Sequence, residues 1–166
     1  TDAIMLSGES ANGDWPVESV QTMARIATET EEQLKYETAV SKAKSHTPAT
    51  SGVISRAACN AANELKAAAI VSSTKSGATA RRISQCRPEC PIVAVTPSEK
   101  VAKSLAFCFG VYPVVAEDQN STDAMMANAT KIAVENGFAN SGDTVVIAAG
   151  LDQVGSTNLL KVSIVE

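Results

Sequence analysis

A chain of 166 residues with 45% apolar and 19% charged side chains can bury one real core and is short for two domains. That balance excludes a disordered chain, and a net charge of −4 disfavours sequence-independent binding to nucleic acid or anionic membranes. No uninterrupted apolar run approaches the roughly 20 residues that a membrane helix needs.

The opening, "TDAIMLSGES", has no basic n-region, so no secretory leader is expected. It also lacks an initiator Met, as a piece of a longer chain would. The apolar run "AIML" is followed by a helix expected from about Pro16 to Tyr36. Pro16 opens it, and Val17, Val20, Met23, Ile26 and Ala27 recur at helical spacing. Its second half, "TETEEQLKYE", is polar on most faces and should be exposed. "SKAKSHTPATSG", Ser41 to Gly52, has Ser, Thr, Pro and Gly without periodicity and is read as a linker. The one histidine, His46, lies within it and is read as a solvated loop residue.

Beyond the linker the chain alternates. A helix is expected over Val53–Leu65, a strand over "AAIVSS", a turn at Thr74–Gly77, and a helix through Arg81 to Cys86. "PIVAVTP" has the continuous apolar character of a buried parallel strand. "SEKVAKSLAF" is a short helix capped by Ser98, "GVYPVVA" a strand, and "STDAMMANATKIAVENG" a helix that starts at a Ser/Thr cap and stops at Gly137. "DTVVIAAG" and "LLKVSIV" close the series. The loop between these two is too short for a parallel crossover, so the last strand is expected to be antiparallel. The pattern predicts an α/β fold: an αβα sandwich around a mostly parallel five-stranded sheet.

Four cysteines raise the question of a metal. Only Cys86 and Cys90, in "CRPEC", are close in sequence, and no Cys/His set at ligand spacing completes a zinc site. No Cys is followed by Arg six positions on, as a phosphatase would require. They are read as free, mostly buried thiols in a reducing compartment, with no metal in this chain.

The stretch that points to chemistry is "SSTKSGATARR", Ser72 to Arg82, which leaves a strand and enters a helix. Such a turn offers backbone N–H groups and hydroxyls beside the positive end of a helix, a natural site for a phosphate. It is not an ATP-binding P-loop, because Lys75 precedes the single glycine, Gly77. The hydroxyls of Ser73, Thr74, Ser76 and Thr79, the Lys75 charge and the Gly77 backbone are the expected cradle. The plainer alternative, a solvated turn with a helix cap, weighs about equally on chemistry alone.

"TDAIMLSGESANGDWPVESVQTM" closely resembles the segment of pyruvate kinases that forms the last strand and helix of their catalytic (β/α)₈ barrel. It matches each fixed position of D-[AC]-[IV]-M-L-S-G-E-[ST]-A-x-G-x-[YW]-P-x-E-[AS]-V. "STKSGATARRISQCRPECPIVAVTP" and "GDTVVIAAG…GSTNLLKV" resemble that family's regulatory domain and its closing hairpin. The resemblance implies a C-terminal portion of a pyruvate kinase: residues 1–40 the final barrel unit, 41–52 a linker, and 53–166 the effector-binding domain. It further implies that the parent enzyme transfers a phosphoryl group from phosphoenolpyruvate to ADP with Mg²⁺ and K⁺, in the cytoplasm, as a homotetramer. The ligands of both cations would lie outside this chain, leaving the fragment inactive by itself.

By the same resemblance, Ser7 and Glu9 line the phosphoenolpyruvate pocket and serve a proton path, whereas their plain role is helix capping. Asn12 stands where some members carry a nucleotide-facing Lys, and Trp15 and Pro16 read as structural. The loop Ser73–Thr79 corresponds to the one that holds an effector phosphate. Members regulated by fructose-1,6-bisphosphate have Arg where this chain has Ala78, and a second Arg about where it has Met125. The loop between Gly150 and Gly155 is also short. A sugar or nucleotide monophosphate is therefore the expected effector, unless Arg81 and Arg82 compensate. An assembly-only domain with a vestigial loop is the alternative.

Overall fold

The computed structural model describes residues 1–33, 49–119, 121–150 and 156–166, in two compact units, Thr1–Lys35 and Tyr36–Glu166. The expected polar end of the first long helix beyond Gln33, His46, most of the linker and the 151–155 loop lie outside the described residues.

In the first unit a single turn, α1 (Gly8–Ala11), precedes α2 (Pro16–Glu32), which opens on Pro16 as expected. The barrel strand that the resemblance implies ahead of α2 does not form: residues 1–7, including the apolar run "AIML", have no regular structure. A strand exists only through a neighbour's hydrogen bonds. None of the five described strands lies in this unit. No residue of α2 is buried, and Trp15, Val17, Val20 and Ile26 are exposed.

The second unit alternates as predicted: α3 (Thr50–Leu65), β1 (Ala69–Ser73), α4 (Ala78–Gln85), β2 (Ile92–Thr96), α5 (Glu99–Leu105), β3 (Val111–Val115), α6 (Thr122–Glu135), β4 (Thr144–Ala149) and β5 (Leu159–Ile164). The start of α3 falls three residues before Val53. The Ala49 carbonyl accepts from Gly52 and Val53 N–H, and the Ser55 hydroxyl donates to Ser51 C=O, so Thr50–Gly52 form its first turn.

The five strands form one sheet in the order β3-β2-β1-β4-β5. Strands β1 to β4 pair in parallel and β5 returns antiparallel to β4, as the short connection requires. Pro113 lies in edge strand β3, where a missing N–H is tolerated.

Side chains of the central strands alternate between two cores. Ile70, Ile92, Ala94 and Val146 pack with Cys59 and Ala62 of α3, Ile83 of α4 and Leu105 of α5. Val71, Val93, Val145 and Ile147 pack on the other face with Met126, Ala129, Ile132 and Ala133 of α6. Runs such as "AIVSS" and "TVVIAA" are buried along nearly their whole length because both faces are covered.

All four cysteines are free thiols, with Cys59 and Cys86 inside the first core. A hydrogen bond with Cys86 and burial raise the Cys59 thiol, and burial pushes Cys90 up to about 11. Cys59 and Cys90 are thus packing groups held protonated at neutral pH.

Ile70 is fully buried at the centre of the sheet. Ile70→Ala should lower stability by about 2–5 kcal/mol, seen as a lower urea midpoint with an unchanged slope.

Candidate functional site

Sheet topology decides where a cleft can open. From β1 the chain steps through α4 to β2 and through α5 to β3, then returns through α6 to β4 on the far side of β1. Parallel crossovers are right-handed, so the two directions of travel place helices on opposite faces. At the carboxyl ends of β1 and β4 the connections diverge and leave a crevice, the usual ligand position in open α/β sheets.

A cleft of about 330 Å³ lies there. Its walls come from the ends of four strands: Ser73–Ser76 after β1, Val95 and Pro97 of β2, Ala116–Gln119 after β3, and Gly150 after β4. Two helices begin at it, α4 with Ser76 and Thr79, and α6 with Ser121 and Thr122. Each helix N-terminus carries roughly half a positive charge on its unpaired N–H groups, so both ends favour an anion.

Of the residues singled out from the sequence, Ser73, Thr74, Lys75, Ser76 and Thr79 line this cleft together. Gly77 does not line it. Its N–H donates to Thr74 Oγ1 (3.0 Å), and its φ of +82° makes it the left-handed N-cap of α4. A Cβ there would come within 2.6 Å of Arg81 Nη1, so glycine shapes the turn.

Arg81 does not line the cleft either. Its guanidinium donates to Ser76 C=O (3.0 Å) and Ser104 Oγ (2.8 Å), bracing the loop against α5. Arg82 is likewise absent from the lining, so neither arginine takes the second-phosphate position in this arrangement.

Met125 does line the cleft, with Asn128 and Ala129 beside it on α6. Lys75 is the one cation among the described lining residues, against two carboxylates, Glu117 and Asp118. Lys75 Nζ lies 2.5 Å from Asp118 Oδ2.

Thr79 is committed to structure. Its Oγ1 lies 2.6 Å from Thr157 Oγ1, and the two are 5% and 0% exposed. This buried bond ties the start of α4 to the segment entering β5. Thr74 is also buried, its N–H donating to Val95 C=O and its hydroxyl accepting from Gly77.

Ser7 and Glu9 sit at the start of α1, both exposed. Ser7 N–H donates to Glu9 Oε2 (3.0 Å). Backbone hydrogen bonds from Glu9 itself and from Ser7 hold the Glu9 carboxyl below the usual carboxylate range. Here Glu9 caps a helix turn. Among the described residues no group of three or more His, Cys, Asp or Glu is placed to hold a metal ion.

Sequence reasoning missed Glu117, Asp118, Ser121 and Thr157. The three at the cleft all follow β3, two strands after β1 in the chain, and the sheet order brings them to the cleft that Lys75 lines. "AEDQNST" carried the signal of a polar loop ending in a cap, and no more than that.

The fold defines a doubly wound α/β domain with a cleft at its strand ends. A family model described as "Pyruvate kinase, alpha/beta domain" matches residues 52–163. A pyruvate kinase of Clostridium acetobutylicum is 48% identical over 169 residues, covering 100% of this chain and 36% of the relative. Pyruvate kinases of Sporosarcina psychrophila and Clostridium perfringens are each 42% identical, over 99% and 98% of this chain. The chain belongs to the pyruvate kinase family. It covers 29% and 35% of the latter two relatives, so it spans about a third of their length.

Replacing one threonine of the Thr79–Thr157 pair by Val should cost about 1–3 kcal/mol, because the other hydroxyl is left buried without a partner. The double variant Thr79→Val/Thr157→Val should recover most of that loss. A double-mutant cycle by chemical denaturation measures the difference.

Proposed function

We propose that this chain is the C-terminal portion of a pyruvate kinase and that its cleft binds a phosphorylated effector. Residues 1–40 are the final unit of the catalytic barrel, 41–52 the linker and 53–166 the regulatory domain. The observation that carries the effector reading is the meeting of Ser73, Thr74, Lys75 and Ser76 with two helix N-termini at the strand ends. The parent enzyme transfers the phosphoryl group of phosphoenolpyruvate to ADP, giving pyruvate and ATP. It works as a cytoplasmic homotetramer in which this domain supplies subunit contacts.

The effector is a monophosphate: a hexose or ribose phosphate, or AMP. A second phosphate would meet Met125 where other members are expected to offer Arg, and Glu117 and Asp118 would repel it. Occupancy acts by population shift, favouring the assembly that binds effector more tightly.

Ser7 and Glu9 contribute to the phosphoenolpyruvate pocket of the complete enzyme. The capping bond between Ser7 N–H and Glu9 supports a positioning role at the start of α1. Mg²⁺ and K⁺ are held by residues outside this chain. Phosphoryl transfer rests on such charge clamps, so the purified 166-residue chain should give no turnover in a coupled pyruvate kinase assay.

The effector proposal is tested by thermal unfolding of the chain with fructose-1,6-bisphosphate, glucose 6-phosphate, ribose 5-phosphate, AMP, ATP and inorganic phosphate. A ligand at 100 times its Kd adds about 2.7 kcal/mol, and a monophosphate should produce that shift. Lys75→Met should weaken the binding by about 1.5 kcal/mol, the low end for a charge-assisted bond, because the lysine side chain is 77% exposed. A flat panel that persists in the full-length tetramer would favour an assembly-only domain.

A further inference from the structure

The anion-binding cleft already contains an anion of its own. Lys75, the one cation among its described lining residues, pairs with Asp118, Nζ to Oδ2 at 2.5 Å. Asp118 stands on the connection after β3, and Lys75 follows β1, two strands away in the sheet. The pair therefore spans the crevice from one connection to the other. A carboxylate offers an ammonium the same kind of partner as a phosphate does, charged oxygens that accept its hydrogen bonds. Both side chains are more than half exposed, at 77% and 52%, so water and salt weaken the pair and a better acceptor can replace it.

We infer that Asp118 is a specificity-determining residue of this cleft: its carboxylate holds Lys75 when the cleft is empty, and an entering phosphate must displace it. The inference rests on the proposed effector site and adds a competitor built into it. The exchange has a consequence for ligand choice. Once displaced, Asp118 stands beside Glu117 in the same cleft with free acceptor oxygens. An inorganic anion offers little to those oxygens and must overcome their repulsion. A phosphate ester with hydroxyl groups donates to them and recovers part of what the broken pair cost. The acidic wall then selects a hydroxyl-bearing monophosphate over free phosphate, although it lowers affinity for both.

The test measures inorganic phosphate and ribose 5-phosphate binding by calorimetry on the 166-residue chain and on Asp118→Asn, Lys75→Met and the double variant. Asp118→Asn should tighten inorganic phosphate up to about fivefold, the range of an exposed ion pair, and narrow its gap to ribose 5-phosphate. In the Lys75→Met background the same change should give a clearly smaller gain. Glu117→Gln removes an equal charge from the same cleft without touching the pair, so its gain should be alike with or without Lys75. An equal gain from Asp118→Asn in both backgrounds would reduce Asp118 to a general field effect and overturn the competitor role. No gain in a chain that binds phosphate would overturn it too, while leaving the effector site standing. Absence of binding of either probe by any of these proteins, persisting in the full-length tetramer, would overturn both.

Discussion

The central strand β1 sets the constraint on which the rest depends. It is hydrogen-bonded in parallel to β2 on one side and β4 on the other, and both of its faces are covered. A parallel partner cannot be reached by a tight turn, so each neighbour requires a helical crossover. The right-handedness of those crossovers puts α4 and α5 on one face and α6 on the other. The cleft at the strand ends follows from this arrangement, before any polar residue is chosen. Side chains then tune a space that the topology has already opened.

That division of labour is visible in the loop after β1. Its polar residues fall into two groups, although all look alike in sequence. Thr74, Gly77, Thr79 and Arg81 hold the loop: each has a hydrogen bond to the turn itself, to Thr157, or to α5. Thr74 and Thr79 also line the cleft, whereas Ser73, Lys75 and Ser76 line it without a part in that bracing through their side chains. A flexible Ser/Thr loop would lose entropy on binding, whereas this one is braced from behind and keeps its shape when empty.

How much of this was legible in the sequence depended on the range of the interactions involved. The continuous apolar runs, the Ser98 and Ser121 caps and the Gly77 turn are local signals, and each element appeared within a few residues of its expected place. The antiparallel β5 followed from the length of one connection. The strand at the start of the chain was implied by resemblance to a barrel segment, but strands are made by neighbours, and this unit contains none among the described residues. Helix α2 shows the same limit: its apolar spacing is correct and none of its residues is buried. Asp118 and Thr157 were invisible because their partners lie 43 and 78 residues away and meet them only through the sheet.

The electrostatics of the cleft explain why its residue types alone look unpromising for an anion. Counted by side chains among the described lining residues, one lysine faces two carboxylates, a negative balance. The two helix N-termini shift that balance, since each contributes about half a positive charge through N–H groups that no side-chain count records. The result is a cleft close to neutral overall, positive where α4 and α6 begin and negative along the connection after β3. On the proposed effector reading, a ligand with one phosphate at the first end and hydroxyls at the second would match both, and one with phosphates at each end would be repelled at the second. The charges that reduce affinity are thus the same ones that separate these two classes of ligand.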